Sequence, residues 1–496
     1  MSRPLTARGY RGRGGGKASY IEAPTEWRGT TVQVCGLWPW AVGASSPTVG
    51  VPLGRNLLTG AAVCCDPLSW FTHAKLILNP SMFLLGLPGL GKSTLARRLV
   101  IGLAGTGATP LVLGDLKPDY VHAVRALGGQ VVRLGRGIGS LNVLDVGAMD
   151  QAADLLITRA ATRTTDRPDD ATRLLAEAER LRQEAHGRRL NVVRALITLT
   201  RGSRTRDFED VVLSVALRVL AHRWRGARHA PLLSNLHSLI EEGPEQIRAA
   251  TLARGDEERY RATTDDLQRS LLALIDGPLG QVFARPTTER LRLDAPAVCL
   301  DVSGISGGDL ALQAAALLAC WSEGYGAIEA SNALADVGEG PQRTFVVVLD
   351  ELWRVLRAGE GLVDRVDELT RLNRNEGVAQ IMITHSLADL RALPSEADRA
   401  KARGFVERAG IVVIGGLPQQ ELTDLHQVVA LSRAERAMVS GWSTPPGWGN
   451  ASAPPGLGRV LLKIGNRPGI PVQVVLTESE LALGGTNARW SMGGAG

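Results

Sequence analysis

The sequence predicts an α/β protein: a parallel-rich sheet interrupted by a large all-α insertion and preceded by a small β-rich region. Three observations predict it. A glycine-rich turn, GLPGLGKST at Gly86–Thr94, stands between a strand-like run (MFLL) and a helix-like run (TLARRLVIGLA). Short apolar runs of β type, LVLGD and QVVRLG before residue 150 and AVCLDVSGI, TFVVVLDEL, VAQIMITHS and GIVVIGG after residue 290, alternate with helical patterns, as in a parallel sheet with crossover helices. Between them the β pattern disappears. AADLLITRAATR, ATRLLAEAERLRQ, RLNVVRALITLT, DVVLSVALRVLAHRW and DLQRSLLALI space their apolar residues at helical intervals, with Arg, Asp and Glu between.

Taken in order, residues 1–18 are rich in Arg and Gly with almost no apolar content and predict a disordered basic tail. Residues 19–80 carry short β-type runs such as TTVQVCGLWPW and GAAVCC, broken by Pro and Gly, and predict a small β subdomain or edge strands. Residues 81–150 form the first part of the sheet domain, 151–275 the helical insertion, 276–485 the second part of the sheet domain, and 486–496 a flexible tail. No internal repeat of fixed period is present.

The turn carries the chemistry. Gly86 and Gly91 bracket four residues before Lys92 and Ser93, matching G-x-x-x-x-G-K-[ST], in which glycine-permitted turns aim successive backbone N–H groups at phosphate oxygens. The following helix N-terminus adds partial positive charge. Gly86, Leu87, Pro88, Gly89, Leu90, Gly91, Lys92, Ser93 and Thr94 are therefore the candidate nucleotide contacts, with Lys92 reaching the β/γ-phosphates and the Ser93 hydroxyl on Mg²⁺. The most apolar strand, FVVVL, ends in Asp350–Glu351, where a parallel strand delivers side chains beside the phosphate loop. Asp350 is the candidate Mg²⁺ ligand and Glu351 the candidate base that orients or deprotonates water. The pair follows Lys92 by 258 residues (350 − 92), a gap the helical insertion accounts for.

Composition narrows the field. At 496 residues two to four domains are expected, and a net charge of +6 suggests an anionic partner without requiring one. Five cysteines without paired C-x-x-C spacing argue against zinc or a disulfide scaffold and favour a reducing cytoplasm. No run approaches the roughly 18 apolar residues of a membrane span, so membrane contact is expected only through partners. A GTPase is excluded: DVSG at Asp301–Gly304 mimics its D-x-x-G element, but no N-K-x-D follows. An ABC-type ATPase is the nearer alternative, through ISGGD, VVVLDE and ITHSLADL. Against it, Gly308 precedes Asp350 by 42 residues (350 − 308), about twice that family's usual interval, and neither a proline nor S-A-L-D follows Glu351.

The ordered motifs together resemble the conjugation ATPases that power type IV secretion, within the HerA-FtsK superfamily of hexameric translocases. The resemblance runs from about Val51 to Glu480. LVLGDLKPDYVHAVRALGGQVVRLGRG looks like that family's second strand, with Asp115 and Asp119–Tyr120 at its acidic and Glu-Tyr positions and Gly128–Gly129 at its Gly pair. LNVLD, APLLSNLHSLI, GPLGQVFARPTT and VVVLDELWRVL, down to Trp353, are also similar. GVAQIMITHSLADL sits where the family has a Thr-Gln sensor, with His385 in place of glutamine, a residue that changes charge near neutrality. RLNRNEG resembles an Arg-rich segment before the sensor strand, making Arg371 and Arg374 the candidates for an arginine donated to a neighbouring subunit. Only about 80 residues precede the phosphate loop, fewer than the family's usual docking domain.

The resemblance implies a RecA-like P-loop fold and an ATP- and Mg²⁺-dependent motor. It implies a homo-hexamer partnered with secretion-channel components, cytoplasmic or peripheral at the inner face of the cell membrane, moving DNA or protein. The competing expectation is an assembly scaffold that binds ATP but hydrolyses it negligibly.

Overall fold

The computed structural model describes residues 46–163, 167–305, 309–358, 362–371, 377–391, 393, 395–445 and 453–483, all within the compact unit Ser46–Gly496. The tails expected at 1–18 and 486–496, the β runs before residue 46 and Arg374 lie outside the described residues, as does the side chain of Arg371.

Among the described residues eleven strands form one sheet: β1 (Pro52–Asn56), β2 (Ala62–Cys64), β3 (Ser81–Leu85), β4 (Thr109–Asp115), β5 (Gln130–Arg133), β6 (Val298–Asp301), β7 (Phe345–Leu349), β8 (Val378–Ile383), β9 (Ile411–Ile414), β10 (Arg459–Lys463) and β11 (Ile470–Val474), in the order β2-β1-β11-β10-β9-β3-β8-β7-β4-β6-β5. The seven strands from β9 to β5 run parallel; β10, β11, β1 and β2 extend the sheet antiparallel. From residue 46 on, the β run GAAVCC supplies β2 at the edge of the sheet, and β1 beside it pairs with β11 across more than 400 residues of sequence.

The central strands read as unbroken apolar runs because both faces are covered. Every residue of β3, β7 and β8 is buried. Alternation then divides them: Met82 and Leu84 join one apolar cluster with Leu95, Leu99 and Leu103 of the helix Lys92–Gly105. Phe83 and Leu85 join the other with Leu317 and Trp321 of the helix Leu310–Asp336. The Trp321 indole donates to the Leu113 carbonyl at 2.7 Å, tying that helix to β4.

Seven helices from Gly147 to Phe283 separate β5 from β6. The longest, Pro168–Arg201, has 34 residues and local reasons to begin and end: Pro168 at its first turn, Asp169 and Asp170 complementing the helix dipole, and Gly202 closing it in the left-handed conformation. Among the described residues no helix is long and apolar enough to cross a membrane.

Candidate nucleotide site

The parallel strands deliver their carboxyl ends to one edge of the sheet, and the candidate residues collect there. β3 runs into Gly86, whose φ of +154° and close approach to Gly415 (a Cβ would lie 3.0 Å from the Gly415 Cα) restrict the position to glycine. Leu87 N–H donates to the Gly416 carbonyl at 3.0 Å and Gly458 N–H to the Leu90 carbonyl at 3.1 Å, so the loop is clasped by backbone from the segments after β9 and before β10. Gly91, at φ +98°, turns the chain into the helix Lys92–Gly105, whose first turn has no capping side chain. Its free N–H groups face outward from the end of the dipole.

Lys92 folds back over this loop, donating to the Gly86 carbonyl at 2.5 Å and the Leu87 carbonyl at 3.0 Å. Burial lowers its ammonium to about pKa 8, against the pull of Asp350 and Glu351, which marks the two carboxylates as members of the same site. Thr94 accepts from Arg97 at 3.2 Å. Ser93 opens the helix beside Lys92 and is half-buried.

The strand order separates what sequence reading set side by side. β8 lies between β3 and β7, so the phosphate-loop strand and the acidic strand flank the strand that carries Thr384 and His385. Asp350 accepts from the Tyr120 hydroxyl at 2.9 Å and from the Glu351 N–H at 2.8 Å. Desolvation and then the adjacent Glu351 charge raise Asp350 to about pKa 6. Glu351 sits at φ +54°, rare for a residue with a Cβ and a conformation typical of functional positions. Its Oε1 meets Lys117 Nζ at 2.5 Å; its Oε2 accepts from Trp353 Nε1 at 2.6 Å and lies 3.3 Å from His385 Nε2. Burial alone would raise this carboxyl, but the hydrogen bonds from His385 and Lys117 hold it well below the usual carboxylate range, so Glu351 is an anion at neutral pH.

These residues suit a magnesium nucleotide. Thr384 Oγ1 and His385 Nδ1 are buried without a hydrogen-bond partner among the described residues, polar atoms that a ligand can satisfy. The glycine turn leaves backbone donors open, and a hydroxyl and a carboxylate at Ser93 and Asp350 are the few hard oxygen ligands that Mg²⁺ takes from protein when phosphates supply the rest. Tyr120 and Thr384 stand at positions of the family resemblance, whereas Lys117 has no place in it; the available signal for Lys117 was its position two residues beyond the end of a parallel strand.

No protein-family model matches the chain, and no curated protein matches it in sequence. Solved structures do. The chain is similar to VirB4 of Thermoanaerobacter pseudethanolicus, with 17% identity and a TM-score of 0.63 over 88% of this chain and 100% of that one. It also matches the plasmid coupling protein TrwB in complex with ADP and Mg²⁺ (14% identity, TM-score 0.46, 88% of this chain and 97% of that one). A third match is the cytoplasmic domain of the Thermomonospora curvata type VII secretion ATPase EccC (13% identity, TM-score 0.33, 90% of this chain and 32% of that one). The first likeness establishes the fold: an α/β sheet domain with a large helical region, shared with VirB4.

Proposed function

We propose that this protein is an ATP-hydrolysing motor of a conjugation or type IV secretion-like apparatus. One observation carries the reading: the Lys92 loop, the Asp350–Glu351 pair and His385 converge on one edge of a parallel sheet, with Glu351 held ionised beside a lysine loop. The fold shared with VirB4 supports the setting. Bound ATP with Mg²⁺ supplies a phosphoanhydride whose hydrolysis is strongly favourable. Lys92 exchanges its two loop carbonyls for phosphate oxygens, at little reorganisation cost because the ammonium is already desolvated. Ser93 and Asp350 would hold the cation, and Glu351 orients water and takes its proton. His385 donates through Nε2 to Glu351, which leaves Nδ1 an acceptor, so as the sensor it reads the terminal phosphate through Glu351 or through a water that donates to Nδ1.

The finer parts of this reading are that the chain works as a homo-hexamer at the cytoplasmic face of a membrane channel, that DNA or protein is the cargo, and that Arg371 or Arg374 completes a neighbour's site. Steady-state ATPase assays with and without DNA test the motor against the scaffold alternative, since a scaffold shows neither turnover nor stimulation. Mixing Arg374→Ala chains with Glu351→Gln chains, each inactive alone, tests the shared site: partial activity returns if an intact arginine meets an intact base across an interface. The same cross with Arg371→Ala assigns the residue. Turnover proportional to protein at every dilution, from a monomer by light scattering, removes the ring.

A further inference from the structure

Both members of the acidic pair are held by one loop. Between β4 and the helix Val121–Ala126, Tyr120 donates its hydroxyl to Asp350 Oδ2 at 2.9 Å, and Lys117 meets Glu351 Oε1 at 2.5 Å. These contacts join residues 230 and 234 positions apart. The loop is itself anchored: the Asp115 carboxylate, at the end of β4, accepts the N–H of Tyr120 at 2.8 Å, of Asp119 at 3.0 Å and of Lys117 at 3.4 Å. β4 in turn pairs directly with β7, which carries the acidic pair. A rigid path therefore runs from sheet to loop to both carboxylates.

The two lysines at this edge differ in what they touch. Lys92 is bonded to carbonyls of its own loop, the partners a phosphate replaces, whereas among the described residues the Lys117 ammonium is bonded to the Glu351 carboxylate beyond the adjacent parallel strand. Its side chain is 53% exposed while that of Glu351 is 6% exposed, so the lysine reaches in from solvent to hold a buried anion. Trp353 and His385 restrain the other oxygen, and Arg354 Nε lies 3.5 Å from it. With Lys117 absent, Oε1 loses its charged donor and the carboxylate is held through Oε2 alone.

We propose that Lys117 is a positioning residue for Glu351, fixing its carboxylate for reaction while making no contact with the nucleotide, and that Tyr120 does the same for Asp350. This rests on the ATPase reading above. Lys117→Met should lower kcat about 10²-fold, the usual result of misplacing a catalytic group by about an ångström, with the KM for ATP and the calorimetric Kd for ADP within about 3-fold of wild type. Lys117→Arg, which keeps a charged donor, should retain most of the wild-type kcat, and the unchanged ADP affinity of Lys117→Met shows that this variant is folded. Tyr120→Phe should lower kcat about 10-fold. Tryptophan emission gives a readout independent of turnover: the Trp353 contribution, taken as the difference from Trp353→Phe chains, should shift in Lys117→Met because its hydrogen-bond acceptor moves. If wild type binds ADP but does not hydrolyse ATP, the motor reading fails and the emission shift still decides the positioning. Unchanged or raised kcat in Lys117→Met overturns the proposal, the latter making Lys117 a lock that must open. Loss of ADP affinity also overturns it, by making Lys117 a phosphate ligand, as does unaltered Trp353 emission.

Discussion

The helical insertion and the nucleotide edge of the sheet are both rich in buried charge, but they treat it in opposite ways. In and against the insertion, buried carboxylates are met by arginines. Arg201 grips Glu209 with two bonds of 2.8 and 2.9 Å, Glu329 takes Arg180 at 2.9 Å and Arg188 at 2.8 Å, and Arg189 pairs with Asp150. At the sheet edge, like charges adjoin. Asp350 neighbours Glu351, Lys117 opposes the charge on Lys92, and Asp115 is pushed to about pKa 7 by desolvation. Pairing of this kind neutralises the buried carboxylates of a helical scaffold. Although Lys117 pairs with Glu351, the like charges beside that pair cost stability that a ligand of the right charge relieves, and perturbed groups of this kind collect at working sites.

The largest break in this contrast should come from Lys92→Ala. The loop loses its only ammonium, and both nucleotide binding and ATP turnover should disappear; calorimetry with ADP and a coupled ATPase assay measure the two. Retained hydrolysis would end the reading of this edge as the site. Glu351→Gln should separate the two properties, keeping ADP affinity near wild type while turnover falls about 10²-fold or more. Equal loss of binding would make Glu351 a cation ligand or a fold element.

A change in the insertion should do the reverse. Glu209→Ala strands the Arg201 guanidinium, itself only 18% exposed, and should cost about 1–3 kcal/mol of stability with turnover per folded chain unchanged. Denaturant titration reads the first and the ATPase assay the second; a matching loss of turnover would mean that the insertion feeds the site. The smallest effect concerns pH. Phosphate binding needs the protonated Lys92, whose pKa is lowered to about 8, so affinity for ADP without Mg²⁺ should fall about tenfold per unit above pH 8. An affinity constant to pH 10 would mean that Lys92 keeps an ordinary pKa.

Much of the sheet was legible in sequence. β3 to β9 all fall within runs whose apolar character announces a strand covered on both faces, and the helix Lys92–Gly105 starts where the motif requires. β10 and β11 escaped. RVLLK and IPVQV are five residues each, with charge, proline and glutamine that a sheet end tolerates, so their β signal is weak until partners are known. Among the candidate site residues, Lys92, Ser93, Asp350 and Glu351 could be proposed from sequence because strand, turn and helix rules place them. Lys117 was not, because one lysine after a strand resembles any solvated charge, and its meaning lies in a carboxylate 234 residues away.

The sequence by itself determined the phosphate loop, the apolar strands and the charged helices, since each depends on neighbours within a turn or two: glycine torsions, apolar periodicity, caps and dipoles. Only the tertiary structure decided that β8 stands between the phosphate loop and the acidic pair, that β1 closes onto β11, and that Lys117 and Tyr120 reach Glu351 and Asp350. The reason is physical. Local periodicity specifies that a segment is a strand with two buried faces, but all such strands satisfy it alike. Their order in the sheet is set by which crossovers and side-chain contacts pack together, and those interactions exist only once distant parts of the chain have met.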